Sequence, residues 1–299
     1  MKSTIASTIL LSSLALAMPQ PEVARAAQQT DVANLMDLVI AGKLKCYNTA
    51  VLFARGTFDS GNIGVWVGPA LQQSVLNELD DAAAFQGVSE KDYPASLGDY
   101  VKTSGSKTCA KSCAKTVTDY LKKCPTANIF LSGWSQGALC THTCLEELKG
   151  TTALKNIKGV TTFGDEAGLM DPKVIPAFPK EIPVKSFCVE DSVAPDVLCT
   201  KTLASGFKLP SSISEFKDIV VDAMIGLTKV AVNSEQRSSV SSILFGMTSG
   251  FLSVTDYFLA DVKAGKVRRW AVLPQHFKYA SNGMTGEAAE WMNAQIKKA

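Results

Sequence analysis

Short apolar runs punctuate the first two thirds of the chain: Ala50 to Ala54, Ile129 to Leu131 and Val160 to Phe163, with Val184 to Phe187 a weaker one. Each is followed within two residues by glycine, cysteine or arginine. The intervening segments Leu71 to Phe85 and Lys111 to Leu121 carry apolar residues at helical spacing. Short buried strands alternating with helices predict an α/β chain built on parallel strands. Such sheets carry their chemistry at the carboxyl ends of the strands.

From Thr200 to about Gly265 the pattern changes. Ile213, Phe216, Val220, Met224, Leu227 and Ala231 follow helical spacing, and a second run from about Ser238 to Val262 carries Ile243, Met247, Phe251, Val254 and Phe258. Asn233-Ser234-Glu235 lies between them as a turn and cap. Residues 200–265 therefore read as a helical hairpin inserted into an α/β chain. Its uncharged stretch, Ser238 to Thr255, is rich in serine and threonine, which favours a packed helix over a transmembrane span. Gly246 and Gly250 form a small-xxx-small pair expected to let the two helices pack closely. Thr285 to Lys298 reads as a final amphipathic helix capped by Thr285.

Lys2 followed by the apolar run Ile5 to Leu16 and the small-residue site Ala15-Leu16-Ala17 reads as a signal peptide over residues 1–17. Ala24-Arg25-Ala26 is the alternative cut, after residue 26. The run is too short to span a bilayer comfortably, so a secreted, extracellular protein is expected. Eight cysteines, an even number, suit disulfides in an oxidising compartment. Their spacing is poor for zinc and the histidines are His142 and His276, so no metal and no cofactor are expected. A formal net charge of +2 without a run of one sign gives no basis for nucleic-acid binding.

Gly133-Trp134-Ser135-Gln136-Gly137 follows an apolar run and opens a helix-like stretch. That is the nucleophile-elbow pattern, in which glycines allow a sharp turn that exposes the serine hydroxyl near a helix amino terminus. Against it stands an ordinary strand-to-helix turn. A serine nucleophile needs a base. His142 lies two helical turns beyond Ser135 and reads as a packed or surface histidine, which leaves His276, in the loop-like Leu273-Pro274-Gln275-His276-Phe277. The residue orienting that imidazole is sought among Glu190, Asp191 and Asp196, between Cys188 and Cys199. Asp196 leads and Asp191 is the reserve.

The order Ser135, Asp196, His276 is that of α/β hydrolases. The stretch Phe53 to Asn62, with its Arg55-Gly56-Thr57 and Gly61-Asn62, resembles a segment of the cutinase family. The elbow is similar to that family's Gly-Tyr-Ser-Gln-Gly, with tryptophan for tyrosine. Tyr93-Pro94-Ala95, Phe163-Gly164-Asp165, the Asp-x-x-Cys of Asp196 to Cys199 and Pro274-Gln275-His276 resemble further family segments. The matches run from Cys46 to Cys199 and resume near Pro274, about two thirds of the chain.

The resemblance implies a three-layer α/β/α sandwich around a central, mostly parallel sheet, formed by 28–199 and 266–299. It implies a monomeric, cofactor-free serine esterase acting on carboxylic esters, with cutin-like polyesters and short to medium acyl chains as substrates. Thr57 and the Gln136 backbone amide would form the oxyanion hole, and Cys46–Cys124 and Cys188–Cys199 the family's two disulfides. Cys109 and Cys113 are one turn apart, as are Cys140 and Cys144. Two parallel neighbouring helices would join Cys109 to Cys140 and Cys113 to Cys144, with the crossed pairing open. Alternatives with the same triad are a lipase, a phospholipase or a carbohydrate acetyl esterase. From another class comes a non-catalytic secreted binding or effector protein on the same fold. The 79 residues between Asp196 and His276 depart from small cutinases. They hold the inserted hairpin, either a lid over the acyl-binding cleft or a helical layer packed away from it.

Overall fold

The computed structural model describes residues 31–80, 82–203 and 207–298; the expected signal peptide lies outside them. In chain order the elements are α1 (Leu35–Ile40), β1 (Thr49–Ala54), α2 (Gly68–Glu78), β2 (Ala83–Gly87), α3 (Leu97–Thr103), α4 (Lys107–Lys123), β3 (Asn128–Trp134), α5 (Gln136–Leu148), β4 (Ile157–Phe163) and β5 (Val184–Phe187). There follow α6 (Ile213–Val230), α7 (Ser234–Leu252), α8 (Thr255–Ala264) and α9 (Met284–Ile296).

The strands form one sheet in the order β2-β1-β3-β4-β5, every pairing parallel. Successive strand side chains point to opposite faces and so feed two separate cores. Val51, Phe53, Phe85, Phe130 and Phe163 join a core with residues of α2, α9 and the insert. Ala50, Leu52, Ala84, Ile129 and Leu131 join a second core with residues of α1, α4 and α5. Helices on both faces make the three-layer α/β/α sandwich. The register sets Ala54 beside Gly133 and Trp134 beside Phe163, which aligns the ends of β1, β3 and β4 at one edge. The residues that follow those three strands build the site.

Four disulfides brace this frame: Cys46–Cys124, Cys109–Cys140, Cys113–Cys144 and Cys188–Cys199. The middle two join α4 to α5 at matching turns, which requires the two helices to run parallel.

Several sequence expectations are corrected. The segment Leu71 to Phe85 is not one helix: α2 ends at Glu78 and Ala83–Gly87 is a strand. Alanines at 82–84 suit a helix locally, but burial between β1 and the core decides for a strand. The hairpin at 200–265 is three helices, because the chain bends by 80° between α7 and α8. No single described helix is long and apolar enough to cross a membrane. Asn233 does cap α7, its Oδ1 accepting the Gln236 N–H at 2.8 Å. Gly246 and Gly250 serve a different contact from the one expected. A Cβ on Gly246 would lie 2.5 Å from the Phe58 ring, and one on Gly250 3.6 Å from the Leu97 Cβ. They let α7 lie close on the sheet domain rather than on α6. Thr285 does not cap α9; Gly283 holds that position at φ 78°, a left-handed conformation that glycine adopts without strain.

Candidate active site

Ser135 joins β3 to α5 with φ 57° and ψ −126°. Such backbone geometry costs a non-glycine residue about 1–3 kcal/mol and persists only where neighbours impose it. A Cβ on Gly133 would lie 2.2 Å from the Gly137 carbonyl oxygen, and one on Gly137 2.0 Å from that of Ala54. Both glycines are thus required by close backbone approach. Ser135 stands at the N-cap of α5, yet its side chain makes no capping bond, because the strained turn directs the hydroxyl elsewhere.

His276 lies in a short 3-10 turn, Pro274–Phe277, and is almost wholly buried. Its Nδ1 pairs with Asp196 Oδ2 at 2.7 Å, and the Trp134 indole N–H donates to its carbonyl at 2.9 Å. The tryptophan that replaces the family's tyrosine therefore anchors the histidine turn. Nε2 is buried and has no hydrogen-bond partner among the described residues. Asp196 is fully buried and also accepts the Tyr279 hydroxyl and the Leu198 N–H. Burial alone would raise its pKa. The charge and hydrogen bond of His276, with the other two donors, outweigh that and hold it below the usual carboxylate range. Burial likewise works against the imidazolium, and Asp196 reverses the sign, so the His276 pKa is raised above 6.5. Asp191 is exposed and spends its Oδ1 on the N–H groups of Val193 and Ala194. It has no contact with His276.

Thr57 Oγ1 donates to Gln136 Oε1 at 3.0 Å. Gln136 opens α5, so its backbone N–H is one of the helix's unpaired N-terminal donors. The Thr57 loop is held from below: Arg55 is buried, donates from Nε to the Asp59 carbonyl at 2.8 Å, and lies 5.2 Å from the centre of the Tyr93 ring.

The Ser135 hydroxyl does not bond to His276. It donates to Glu166 Oε1 at 2.9 Å. Glu166 follows Phe163-Gly164-Asp165 and was missed in the sequence reading, although an acid just beyond a buried parallel strand sits where such sheets do chemistry. It is fully buried, its Oε2 contacts the Tyr100 hydroxyl, and burial pushes its pKa up to about 7. Its position is fixed by Asp165, which pairs with His142 Nε2 at 3.0 Å and accepts the Ala167 N–H. His142 is a buried, packed histidine stacked on Phe178, its Nδ1 paired with the Pro176 carbonyl.

Ser135, His276, Thr57 and Glu166 line one narrow cleft with a cavity volume of about 50 Å³. The opposite wall is the insert: Val220, Ala223 and Met224 of α6 with Ile243 and Met247 of α7. The helices therefore lie over the site. Gly226 meets Pro274 of the histidine turn, where a Cβ would lie 2.3 Å from the proline Cγ. Phe216, Phe251 and Phe258 of the insert pack with Trp270, stacked, tilted or edge-on, within the core that the insert shares with the sheet. Among the described residues no group of histidine, cysteine or acidic side chains is arranged to hold a metal ion.

The sequence profile of the cutinase family matches residues 45–211, more than half of the chain. This chain belongs to the cutinase family. Cutinase CUT1 of Coprinopsis cinerea is 38% identical over 123 residues, covering 41% of this chain and 59% of that protein. Probable cutinase 3 of Aspergillus fumigatus is 31% identical over 195 residues, covering 64% of this chain and 83% of that protein. The chain thus spans less than two thirds of the length of the first of these cutinases. A solved Trichoderma reesei cutinase in complex with a phosphonate inhibitor is 29% identical, with a TM-score of 0.38 over 50% of this chain and 68% of that one. The family match ends before α6, so the three helices of the insert and the His276 turn lie beyond the residues that the profile covers.

Proposed function

We propose that this cutinase-family chain is a secreted serine esterase that hydrolyses carboxylic esters. The carrying observation is a buried Asp196–His276 pair with an unpartnered Nε2, His276 lining the same cleft as a serine held at φ 57°. In this reading the Ser135 hydroxyl leaves Glu166, gives its proton to His276 Nε2 and attacks the ester carbonyl. The oxyanion is received by Thr57, whose hydroxyl exchanges its bond to Gln136 Oε1 for it, and by the Gln136 backbone N–H, a kind of donor whose loss costs about 3–4 kcal/mol of transition-state stabilisation. His276 returns the proton to the leaving alcohol, and water then releases the acyl group by the same steps in reverse. Asp196 holds the imidazole and balances its charge.

The apolar lining from α6 and α7 supports esters with short or medium acyl chains, and the named cutinase relatives support a cutin-like polyester as substrate. Four disulfides support an oxidising, extracellular setting. Residues 200–265 act here as a cover over the acyl-binding cleft rather than a layer packed away from it. The experiment is hydrolysis of a chain-length series of nitrophenyl esters by the native chain and by Ser135→Ala. Turnover of short and medium esters, lost in the variant, is expected; turnover unchanged in the variant would remove the reading.

A further inference from the structure

The bonds around Glu166 can be counted proton by proton. Tyr100 has one hydroxyl proton and two oxygen neighbours, the Arg269 carbonyl at 2.9 Å and Glu166 Oε2. A carbonyl only accepts. If the phenol donates to Arg269, its contact with Glu166 needs the proton to come from the carboxyl. A neutral Glu166 satisfies every contact: Oε2–H donates to Tyr100, Tyr100 donates to the Arg269 carbonyl, and Oε1 accepts from Ser135. An ionised Glu166 takes the Tyr100 proton and leaves the carbonyl unserved, or meets the phenol oxygen with no proton between them.

The cation that faces the carboxyl is His276 when protonated, and its charge opposes without overcoming the rise in pKa that burial causes. Arg269, the guanidinium lining this cleft, is engaged by Asp261 of α8 at 2.6 Å. The other titratable groups around the carboxyl are Tyr100 from α3, Tyr93 from the segment before α3, His276 and Tyr279 from the segment before α9, and Asp196 from the disulfide loop. Asp165, beside it in the chain, is taken up by His142.

We propose that Glu166 is a positioning residue for Ser135 that works as the neutral acid, Oε1 holding the resting hydroxyl and Oε2 keeping its proton on Tyr100, and that loss of this proton arrests the serine. The proposal deepens the esterase reading and rests on it. During acylation the Ser135 O–H bond to Glu166 is exchanged for one to His276 Nε2; the serine proton passes to the imidazole and Glu166 keeps its own. A carboxylate opposes this in two ways. It holds the serine proton by a charge-assisted hydrogen bond, about twice as strong as a neutral one. It also sets a full negative charge within hydrogen-bond reach of the oxygen that joins the developing oxyanion, in a site with little water to screen it. Its attraction for the imidazolium brings no gain, because Asp196 already supplies that charge. A second carboxylate would keep the resting base protonated. Burial that lifts the Glu166 pKa to about 7 places the change near neutrality.

The test is the pH profile of kcat/KM on a soluble nitrophenyl ester, for the native chain and for Glu166→Gln, whose amide mimics the neutral acid. Fluorophosphonate labelling of Ser135 at about pH 7, where part of His276 is neutral, is followed on the same samples. A triad alone reaches a plateau once the histidine is neutral. The native chain is expected to lose at least about tenfold between about pH 7 and about pH 9, and Glu166→Gln to lose this fall. A native plateau up to about pH 9 overturns the proposal even if the variant fails to fold, and so does a fall that persists in the variant. Labelling that proceeds normally in either case leaves the esterase reading standing; absence of labelling in the native chain overturns both.

Discussion

Gly164 and His276 share one small space: a Cβ on Gly164 would lie 2.5 Å from the imidazole Cε1 and 2.8 Å from Nδ1. Gly164 also has φ 59°, where a side chain is strained. Gly164→Ala should therefore displace the ring that Asp196 and Trp134 hold. A displacement of about 1 Å at a reacting group costs on the order of a hundredfold. The expected result is a fall of that order in kcat/KM, with near-native circular dichroism. Activity close to that of the native chain would show that the ring has room to spare.

Asp196 and Asp191 are separated by the same substitution at each position. Asp196→Asn removes the charge and the acceptor that hold His276 Nδ1, and activity should fall by roughly 10³–10⁴-fold. Asp191→Asn touches only an exposed turn and should leave kcat/KM within about twofold of the native value. The reverse ranking would reassign the acid. Because Asp196 raises the His276 pKa above 6.5, the native rate should rise with pH through a value above 6.5, as the base becomes neutral, before the fall that ionisation of Glu166 brings.

How much of this site was legible is clearest from four residues. Ser135 stood out because two glycines flank it at a strand-to-helix boundary, and His276 because the chain has two histidines and the other lies on α5. Asp196 could not be parted from Asp191 by pattern, since a short disulfide loop carries both; burial and three hydrogen bonds part them. Glu166 was passed over because its chemistry depends on Tyr100, which is 66 residues away in the chain. In the fold, β2 was hidden by its helix-compatible alanines. The break after Leu252 was hidden because Ile243, Met247, Phe251, Val254 and Phe258 keep helical spacing across the bend.

Asp59 supports the Thr57 loop and is buried, its Oδ1 accepting the Val65 N–H while Oδ2 has no partner among the described residues. Burial raises its pKa from 3.8 to about 7. Between these values the unfolded chain releases a proton that the folded chain keeps, so stability must fall as pH rises from about 4 to about 7. Three units correspond to a loss on the order of 4 kcal/mol. Asp59→Asn should remove that part of the slope in denaturant unfolding; an unchanged slope would contradict it.

The Cys113–Cys144 bridge lies one turn beyond Cys109–Cys140 and links the same two helices. With the first bridge in place, the second closes a loop of only about ten residues, worth roughly 2–3 kcal/mol in the chain-entropy model. Replacing both Cys113 and Cys144 by alanine should lower unfolding stability by about that amount. Ester hydrolysis below the transition should persist. Loss of activity in a chain that still unfolds cooperatively would mean that this bridge also shapes the elbow.

The insert can be tied down where it meets the body. A Cβ on Gly250 would stand 3.6 Å from the Leu97 Cβ, within the range a disulfide spans. Leu97→Cys with Gly250→Cys should therefore bridge α7 to α3. If the insert moves to admit substrate, the bridged chain should lose about tenfold or more on aggregated esters relative to either single variant, and less on soluble short esters. Equal losses on both substrates would argue for a fixed wall.

The most direct measurement is intact-mass analysis after reaction with a fluorophosphonate probe, with peptide mapping of the adduct. One adduct per chain, on Ser135, is expected, absent from Ser135→Ala and strongly slowed in a His276 substitution. An unlabelled native chain, or labelling that survives Ser135→Ala, would contradict the assignment of Ser135 as the nucleophile.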